Sequence, residues 1–293
     1  MAQEPTFLIC TGATKAGTCW LYRYLLAHPD CHLRAIKELH FFNSAEAGTM
    51  RNWRKREEMR LLRARARQAE GDASPETARL IRDLTDWVAV LARGPRAVAA
   101  YLDYLTQGRG DRHVVADITP AYAMLPEARL RGMATMATDV RFLYLLRDPV
   151  SRLWSQARML GQRRAADPSD FPAQSVVAMT DMLDGIEGGK ADREDYAGAI
   201  ARLRAAVAPE KLLILLQDEL MTIPGIARLC RFLGIADHPA DLAHREHEGL
   251  PLDLPATLRA RAQAALRPQY EYVARLMPEL PASWRRNMTE VHG

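Results

Sequence analysis

A lysine inside a glycine-flanked turn is the first group in the chain that could bind an anion. The turn follows the apolar run Phe7–Cys10. Glycines let backbone N–H groups approach a bound group closely, and a following helix adds partial positive charge at its N-terminus. The turn therefore predicts a site for a phosphate or sulfate group. Its residues are Gly12, Ala13, Thr14, Lys15, Ala16, Gly17, Thr18 and Cys19.

The turn differs from the Walker A motif of nucleoside triphosphatases, in which Gly-Lys-Ser/Thr follows a first glycine and four residues. Here Lys15 lies two residues before Gly17, inside the loop and not in the first turn of the helix. A tight structural turn would explain the same glycines. The loop alone therefore leaves an anion-binding role and a structural role open.

A second segment with anion-binding side chains follows the apolar run Phe142–Leu146. Arg147 stands at the predicted strand end, where its guanidinium could hold a phosphate with two N–H groups. Asp148 and Pro149 suit the start of a helix, and Ser155 follows about two turns later with a hydroxyl that could also donate. The structural alternative is that Asp148 caps the helix and pairs with Arg147, while Ser155 is merely buried.

Lys37, Glu38 and His40, which lie between these two segments, supply groups suited to proton transfer. Glu38 places a carboxylate beside the Lys37 ammonium. His40 could also take up a proton, because the ordinary pKa of a histidine lies near neutrality. In the structural alternative, Lys37 and Glu38 form a solvated charge pair, and His40 anchors the loop to the core together with Phe41 and Phe42.

Short apolar runs alternate with longer helical patterns along the chain, which indicates a mostly parallel sheet flanked by helices. In such sheets, ligands bind outside the carboxyl ends of the strands. We therefore predict an α/β fold like that of the P-loop NTPases, with the loops after Cys10, Ala116 and Leu146 converging on one site. The predicted strands are Phe7–Cys10, Val114–Ala116, Phe142–Leu146 and Leu212–Leu216.

The seventy residues between Phe42 and His113 are rich in arginine and alanine and contain no strand pattern. We predict a helical insertion at about 44–112 that lies over the ligand edge, within a single domain of residues 1–293. Four of its arginines recur at helical spacing. They indicate either a solvated helix face or a docking surface for an acidic acceptor or an anionic membrane. These arginines are Arg56, Arg60, Arg63 and Arg67.

The C-terminal region Leu254–His292 has the pattern of two amphipathic helices. We predict that they are separated near Arg267 and Pro268, because proline disrupts a helix interior.

Composition narrows the class of protein. At 293 residues and 48% hydrophobic content, the chain can bury a large core. A net charge of +4 suits a small anionic ligand and does not indicate nucleic acid. The four cysteines lack the paired spacing of a zinc site or disulfide framework, so no metal site is predicted. Without a leader pattern or a transmembrane stretch, the expected location is the cytoplasm. The sequence predicts no oligomeric state.

Together, these motifs resemble the sulfotransferases that use 3′-phosphoadenosine 5′-phosphosulfate (PAPS), and most closely the bacterial and heparan-sulfate-type branch. Gly12–Thr18 is similar to the family's loop for the 5′-phosphosulfate end of PAPS. Arg147–Ser155 is similar to its Arg-x-Pro-x-x-Arg-x-x-Ser segment for the 3′-phosphate. Lys37–Phe42 looks like its Lys-Glu-x-His-Phe-Phe signature, and Asp117–Tyr122 is akin to a Ser/Thr-Pro-x-Tyr segment.

The resemblance implies in-line transfer of a sulfuryl group from PAPS to a hydroxyl or amine of a small-molecule, lipid or glycan acceptor. The product 3′,5′-ADP would leave, and no metal would be required. Lys15 would stabilise the leaving phosphate. Glu38 would be the general base, with Lys37 touching the sulfuryl oxygens or keeping Glu38 ionised. His40 is the rival base, and otherwise it would orient the acceptor or belong to the core.

The family's Lys-Gly-Arg-like loop near the C-terminus has no match in this chain, and Arg245 is the predicted substitute. The main alternative function is a P-loop kinase or NTPase, which uses a similar strand, loop and helix. The displaced Lys15 and the lack of an acidic residue to hold magnesium at the end of a later strand argue against it. A nucleotide-binding protein without activity is a further alternative, which Lys15 and Glu38 argue against.

Overall fold

Five parallel strands form the central sheet of the structure, a computed structural model that describes residues 4–189, 193–243, 250–277 and 279–289. The strands stand in the order β2-β3-β1-β4-β5. Neighbouring strands run parallel throughout, and Ile9 of β1 lies opposite Asp117 of β3 and Phe142 of β4. The strands are β1 (Thr6–Gly12), β2 (Cys31–His32), β3 (Val114–Ile118), β4 (Val140–Leu146) and β5 (Leu212–Leu216).

Every residue of β1 and β3 is buried, as are all residues of β4 except Arg141. A parallel sheet is covered by helices on both faces, so its strands read as continuous apolar runs, not as alternating ones. The structure confirms the four predicted strands and the α/β fold. It adds β2, whose two residues are too short to produce a recognisable pattern.

Thirteen helices lie among the described residues. Side-chain hydrogen bonds to backbone N–H groups mark where two of these helices begin. Asp148 accepts the N–H of Ser151 at 2.7 Å to cap α7, and Thr222 accepts the N–H of Gly225 at 3.1 Å to cap α11. The helices are α1 (Thr18–Ala27), α2 (Phe41–Glu46), α3 (Met50–Ala69), α4 (Pro75–Ala92), α5 (Val98–Thr106), α6 (Glu127–Ala134), α7 (Pro149–Arg164), α8 (Phe171–Glu187), α9 (Tyr196–Ala206), α10 (Gln217–Leu220), α11 (Ile223–Leu233), α12 (Ala256–Leu276) and α13 (Ala282–Thr289).

The strand order places a switch point at β1. The chain builds β2 and β3 on one side of β1, and then β4 and β5 on the other. At such a point the loops that leave adjacent strands diverge and leave a crevice at the carboxyl edge of the sheet. The ends of β1, β3 and β4 are therefore neighbours, as predicted, and the segments that follow them share this edge.

Helices α2 to α5 occupy the region between β2 and β3, and the described residues from Phe42 to His113 contain no strand. This region joins the same hydrophobic core as the sheet. Phe41 stacks on Tyr101 with ring centroids 5.0 Å apart, and Trp87 is fully buried beside them. The helical insertion therefore contributes aromatic side chains that pack against Phe41, three residues after Glu38.

The predicted helix break at Arg267 and Pro268 is wrong. Pro268 lies inside the continuous helix α12, and the break comes after Leu276. A proline in a helix interior costs about 3 kcal/mol. Tyr270 and Val273, which follow Pro268, are 2% and 0% exposed, so packing of this face against the core outweighs that cost.

Candidate active site

Two glycines shape the loop between β1 and α1. Gly12 has a φ of 149°, and a Cβ atom there would lie 2.7 Å from Cε2 of Tyr144. Gly17 has a φ of 86°, and a Cβ atom there would lie 3.2 Å from Cγ of Gln217. Side chains at either position would strain the backbone and clash, so the close passage of this loop over β4 and α10 requires glycine.

The Lys15 ammonium lies in a region of surplus positive charge. Burial lowers the pKa of Lys15, and the charges of Arg147, Arg158 and Arg163 act in the same direction, partly offset by Cys19. Arg147 Nη1 also donates to the carbonyl oxygen of Lys15 at 3.0 Å, which ties the loop to the end of β4. Positively charged side chains that lie close together repel one another, and an anionic ligand would relieve that repulsion.

Arg147 is held in place through its backbone as well as its side chain. Tyr196 Oη donates to the carbonyl oxygen of Arg147 at 2.7 Å, and burial lowers the pKa of the Arg147 guanidinium. Asp148 caps α7 as predicted, but its carboxylate does not form an ion pair with Arg147. It instead accepts hydrogen bonds from Tyr270 Oη at 2.6 Å and Asn287 Nδ2 at 2.9 Å.

The remaining polar residues of this segment lie on helix α7, some with buried side chains and others with partly exposed ones. Arg152 is 1% exposed and pairs with Glu194 at 3.0 Å, so it belongs to the core. Ser155 is partly exposed two turns into the helix. Arg158 follows Ser155 by one turn, and its charge reaches both Lys15 and Arg147. Sequence reasoning missed Arg158, although the spacing of three residues from Ser155 was a usable signal.

The second half of the candidate site has an unusual backbone. Among the described residues, three that are not glycine have a positive φ: Lys15 at 67°, Glu38 at 65° and His40 at 55°. Left-handed backbone costs L-residues of this kind about 1–2 kcal/mol each. Such strain is concentrated at functional sites, where the surrounding structure holds the backbone in place. All three residues are candidates for catalysis from the sequence.

Glu38 lies between two nitrogen groups. Lys37 Nζ is 2.6 Å from Glu38 Oε1, and His40 Nε2 is 3.5 Å from Glu38 Oε2. Burial raises the pKa of Glu38, but the His40 hydrogen bond and the Lys37 charge outweigh it and lower the pKa to about 2. Burial lowers the pKa of Lys37, but the Glu38 charge outweighs it, so the net direction is upward. Glu38 is therefore a carboxylate at neutral pH.

The charge pair named in the structural alternative is present, and the side chains of the group differ in exposure. The side chain of Lys37 is 17% exposed and that of His40 14%, whereas that of Glu38 is 41% exposed. Glu38 is thus the member of the group most open to a ligand. The anchoring role predicted for Phe41 and Phe42 is confirmed, since both are buried.

The insertion holds His40 from one side. The His40 ring stacks on Trp53 of α3 with centroids 3.9 Å apart, and His40 Nδ1 lies 3.2 Å from Asn43 Oδ1. Arg56 covers the same indole ring at 4.7 Å. His40 is therefore fixed in orientation by groups from α2 and α3, with its Nε2 atom left facing Glu38.

The two halves of the site meet at the end of β1. Burial raises the pKa of the Cys10 thiol to about 12, and Lys37 and Glu38 are both close enough to contribute to that pKa. Cys19, at the start of α1, influences the pKa of Lys15 and of Lys37. The strand end thus brings Lys15 into the same electrostatic neighbourhood as the Lys37–Glu38 pair.

Some sequence predictions fall outside what the structure describes. Arg245, predicted to help close the nucleotide site, lies outside the described residues. Within the described ranges, no three histidine, cysteine, aspartate or glutamate side chains are grouped so that they could hold a metal ion. None of the helices described here is long and apolar enough to cross a membrane.

A parallel sheet with a glycine-flanked loop at its switch point defines a P-loop-like α/β fold. The profile described as "Sulfotransferase family" matches residues 5–239, so the chain belongs to the sulfotransferase family. This match contains both halves of the candidate site. No curated protein matches the chain.

Solved structures with a similar fold include three sulfotransferases. A sulfotransferase from Alicyclobacillus acidocaldarius superposes with a TM-score of 0.60 at 20% identity, covering 97% of this chain and 100% of that one. The sulfotransferase domain of the Synechococcus PCC 7002 olefin synthase gives 0.50 at 18% identity, covering 95% and 96%. The sulfotransferase domain of the curacin biosynthetic pathway gives 0.50 at 18% identity, covering 96% and 100%. At these identities the likeness shows the shared fold.

Proposed function

We propose that the protein transfers a sulfuryl group from PAPS to a hydroxyl or amine of a small-molecule, lipid or glycan acceptor, with 3′,5′-ADP as the product. One observation carries the assignment of the site. Lys15, Glu38 and His40 are the three non-glycine residues with positive φ in the described part of the chain, and they belong to one edge of the sheet. In a member of the sulfotransferase family, we attribute the backbone strain at these three residues to a role in catalysis.

The donor is a multiply charged anion, and the residues at the strand ends fit such a group. Besides burial, the charges of Arg147 and Arg158 lower the pKa of Lys15, and the charge of Arg158 lowers the pKa of Arg147. Ser155 adds a hydroxyl on the same helix as Arg158. We assign the phosphosulfate end of PAPS to the Gly12–Thr18 loop and the 3′-phosphate to Arg147 and Ser155.

In the transfer, the acceptor oxygen or nitrogen forms a bond to sulfur while the bond between sulfur and the bridging oxygen breaks. The electron pair of the broken bond stays on the phosphate of 3′,5′-ADP, where the Lys15 charge stabilises it. The acceptor proton passes to a Glu38 carboxylate oxygen. With a pKa of about 2 in the free protein, Glu38 is ionised and ready to accept it.

Lys37 links the two halves chemically. Its ammonium neutralises Glu38 at 2.6 Å in the free protein. An incoming sulfuryl group offers Lys37 a second set of anionic oxygens. When Lys37 shares its hydrogen bonds with them, the Glu38 carboxylate loses part of its stabilisation and becomes a stronger base.

The exposed face of α3 is the candidate acceptor surface, and its charges are partly neutralised. Arg60 pairs with Glu57 at 2.6 Å and Arg54 with Glu58 at 3.2 Å. Met59 and Leu62 are 50% and 57% exposed between the cations. This mixture is compatible with an amphiphilic acceptor as well as with a solvated helix face, so the class of acceptor stays open between small molecule, lipid and glycan.

Ligand binding and product formation together test the proposal. Calorimetry with 3′,5′-ADP in EDTA should show binding, and ATP–Mg²⁺ should not. Incubation with ³⁵S-labelled PAPS and a cell extract should then give a labelled product that mass spectrometry identifies by its added sulfuryl mass. Binding of ATP–Mg²⁺ without binding of 3′,5′-ADP would favour the kinase alternative. Binding of 3′,5′-ADP without any labelled product would indicate an inactive binding protein.

A further inference from the structure

Asp117 is a buried carboxylate that the proposed chemistry does not use. It lies in β3, is 1% exposed, and accepts three hydroxyl hydrogen bonds. The donors are Thr119 Oγ1 at 2.6 Å, Tyr101 Oη at 2.9 Å and Tyr122 Oη at 2.9 Å. No lysine or arginine of the described chain forms a salt bridge with it. Burying a carboxylate that has only uncharged hydrogen-bond donors around it costs free energy of folding, so the presence of Asp117 calls for a functional explanation.

The three donors come from three separate parts of the fold. Tyr101 belongs to α5 of the insertion, Thr119 follows the end of β3, and Tyr122 lies in the short 3₁₀ turn Pro120–Met124. Asp117 therefore joins the sheet edge to the helical insertion through side-chain hydrogen bonds. Hydroxyl groups that donate to one carboxylate are fixed in direction, because each must point its hydrogen at the carboxylate.

Tyr122 connects this hydrogen-bond network to the loop that carries the candidate base, Glu38. Because its hydroxyl hydrogen points at Asp117, its oxygen is free to accept, and it accepts the N–H of Phe41 at 3.1 Å. Phe41 is the first residue of α2, and His40 at the N-cap provides no side-chain cap. Tyr122 therefore satisfies an N–H group that the helix itself leaves without a partner.

The same contact supports the strained backbone. His40, with a φ of 55°, immediately precedes Phe41, and Glu38 with a φ of 65° lies two residues before His40. Phe41 also stacks on the ring of Tyr101. A backbone held in left-handed conformation at two of three consecutive residues needs fixed points on at least one side, and Phe41 is such a point.

We propose that Asp117 is a positioning residue that holds the Lys37–His40 loop in its catalytic conformation through Tyr122 and Tyr101. The proposal rests on the proposed function for the role of Glu38. Asp117 acts through the N–H of Phe41 and touches neither donor nor acceptor.

Two substitutions test the connection from Asp117 through Tyr122 to Phe41 separately from the overall stability of the fold. Asp117→Asn removes the charge and one acceptor, and Tyr122→Phe removes the hydroxyl that joins Asp117 to Phe41. Each should lower kcat by about 10- to 100-fold, the range expected when a catalytic group is misplaced by a fraction of an ångström to 1 Å. The Kd for 3′,5′-ADP should stay within about twofold. Asp139→Asn is the matched control, because Asp139 accepts hydrogen bonds from Thr6 and Lys211 at a place far from this loop. This substitution should leave kcat unchanged.

A double-variant cycle shows whether the effect passes through the base. In a Glu38→Gln background, Asp117→Asn should cause no further loss of kcat. An equal loss in both backgrounds, or a loss of 3′,5′-ADP affinity that matches the loss of kcat, would overturn the positioning role.

A readout without turnover keeps this test separate from that of the proposed function. In ¹⁵N-histidine NMR spectra, the His40 resonance, assigned by its loss in His40→Gln, should shift in Asp117→Asn and Tyr122→Phe but not in Asp139→Asn. An unchanged His40 resonance in the first two variants would refute the positioning role. A wild-type protein without PAPS-dependent turnover, but with these shifts, would refute the proposed function alone.

Discussion

The donor side and the base side of the candidate site are built in different ways. On the donor side, the loop from Gly12 to Thr18 is continuous in sequence, lies between β1 and α1, and is fixed by glycine backbone. On the base side, the loop from Lys37 to His40 follows a two-residue strand and has no regular element before α2. Side chains from distant segments hold it.

The electrostatics of the two sides also differ. Burial lowers the pKa values of Lys15 and Arg147, nearby cations act in the same direction, and neither residue forms a salt bridge with a carboxylate among the described residues. Lys37 is neutralised by Glu38 at 2.6 Å. One side therefore stores uncompensated positive charge for an anionic donor, and the other presents a neutral pair that a ligand can separate. The difference assigns donor binding and proton transfer to different halves of one sheet edge.

Removing the Lys15 charge should have the largest effect. We expect Lys15→Ala to lower kcat by about 1000-fold, the loss typical when a group that stabilises developing negative charge is removed. The fold should remain, because Lys15 contributes its backbone carbonyl, not its side chain, to the contact with Arg147. Turnover of labelled PAPS measures the loss, and Lys211→Ala, which alters a pair with Asp139 at the opposite end of the strands, is the control. Turnover near the wild-type level would remove Lys15 from the mechanism.

Glu38→Gln should lower kcat by about 100-fold, within the range for loss of a general base, and leave the Kd for 3′,5′-ADP unchanged. This split between kcat and donor affinity distinguishes the base side from the donor side, where both quantities should change. Glu46→Gln, which alters an exposed pair with Arg129, is the matched control. Full activity of Glu38→Gln at neutral pH would leave His40 as the candidate base.

The donor side was largely predictable from sequence because its structure is local. Gly12 and Gly17 mark the positions of unusual backbone, and Asp148 with Pro149 marks the start of α7. Distant contacts from Tyr144, Arg147 and Gln217 add to this local geometry. Arg158 was missed because the motif ends at Ser155, one helical turn before it.

The base side was predictable in its residues but not in its geometry. Nothing in the local sequence indicates left-handed backbone at Glu38 and His40, because tertiary contacts with Trp53 and Tyr122 maintain it. Tyr122 lies 81 residues from Phe41, so a pattern within one segment does not contain the contact. The wrong helix break at Pro268 has the same origin, since packing overrode a local rule.

Arg158 offers a test on the donor side with a smaller expected effect. Arg158→Gln should raise the Kd for 3′,5′-ADP by about tenfold, the equivalent of one charge-assisted hydrogen bond of roughly 1.4 kcal/mol. Calorimetry at several salt concentrations measures it, and the wild-type affinity should fall more steeply with salt than that of the variant.

Arg164→Gln is the control for Arg158→Gln, since Arg164 lies on the same helix and pairs with Asp181 at 2.8 Å on the surface. Its Kd should equal that of the wild type. Equal effects of the two substitutions would mean that α7 contributes general positive potential, and that Arg158 has no contact of its own with the donor.

The smallest expected effect concerns pH and the Lys37–Glu38 pair. In the free wild-type protein the pKa of Glu38 is about 2, so Glu38 should not contribute an acid limb to kcat/KM between pH 5 and pH 7. In Lys37→Met, burial still raises the pKa of Glu38, the contribution of Lys37 that lowered it is gone, and the His40 hydrogen bond still lowers it. The pKa of Glu38 should therefore rise, so that a larger fraction of the carboxyl is protonated at low pH, and a protonated carboxyl cannot accept the acceptor's proton. We therefore expect the ratio of kcat/KM at pH 5 to kcat/KM at pH 7 to fall a few-fold in Lys37→Met relative to wild type.

Lys211→Met, which breaks the pair with Asp139 at the opposite end of the strands, should leave the ratio unchanged. A ratio that does not change in Lys37→Met would mean that His40 alone keeps Glu38 ionised, and that the two nitrogen groups beside the carboxylate are not equivalent.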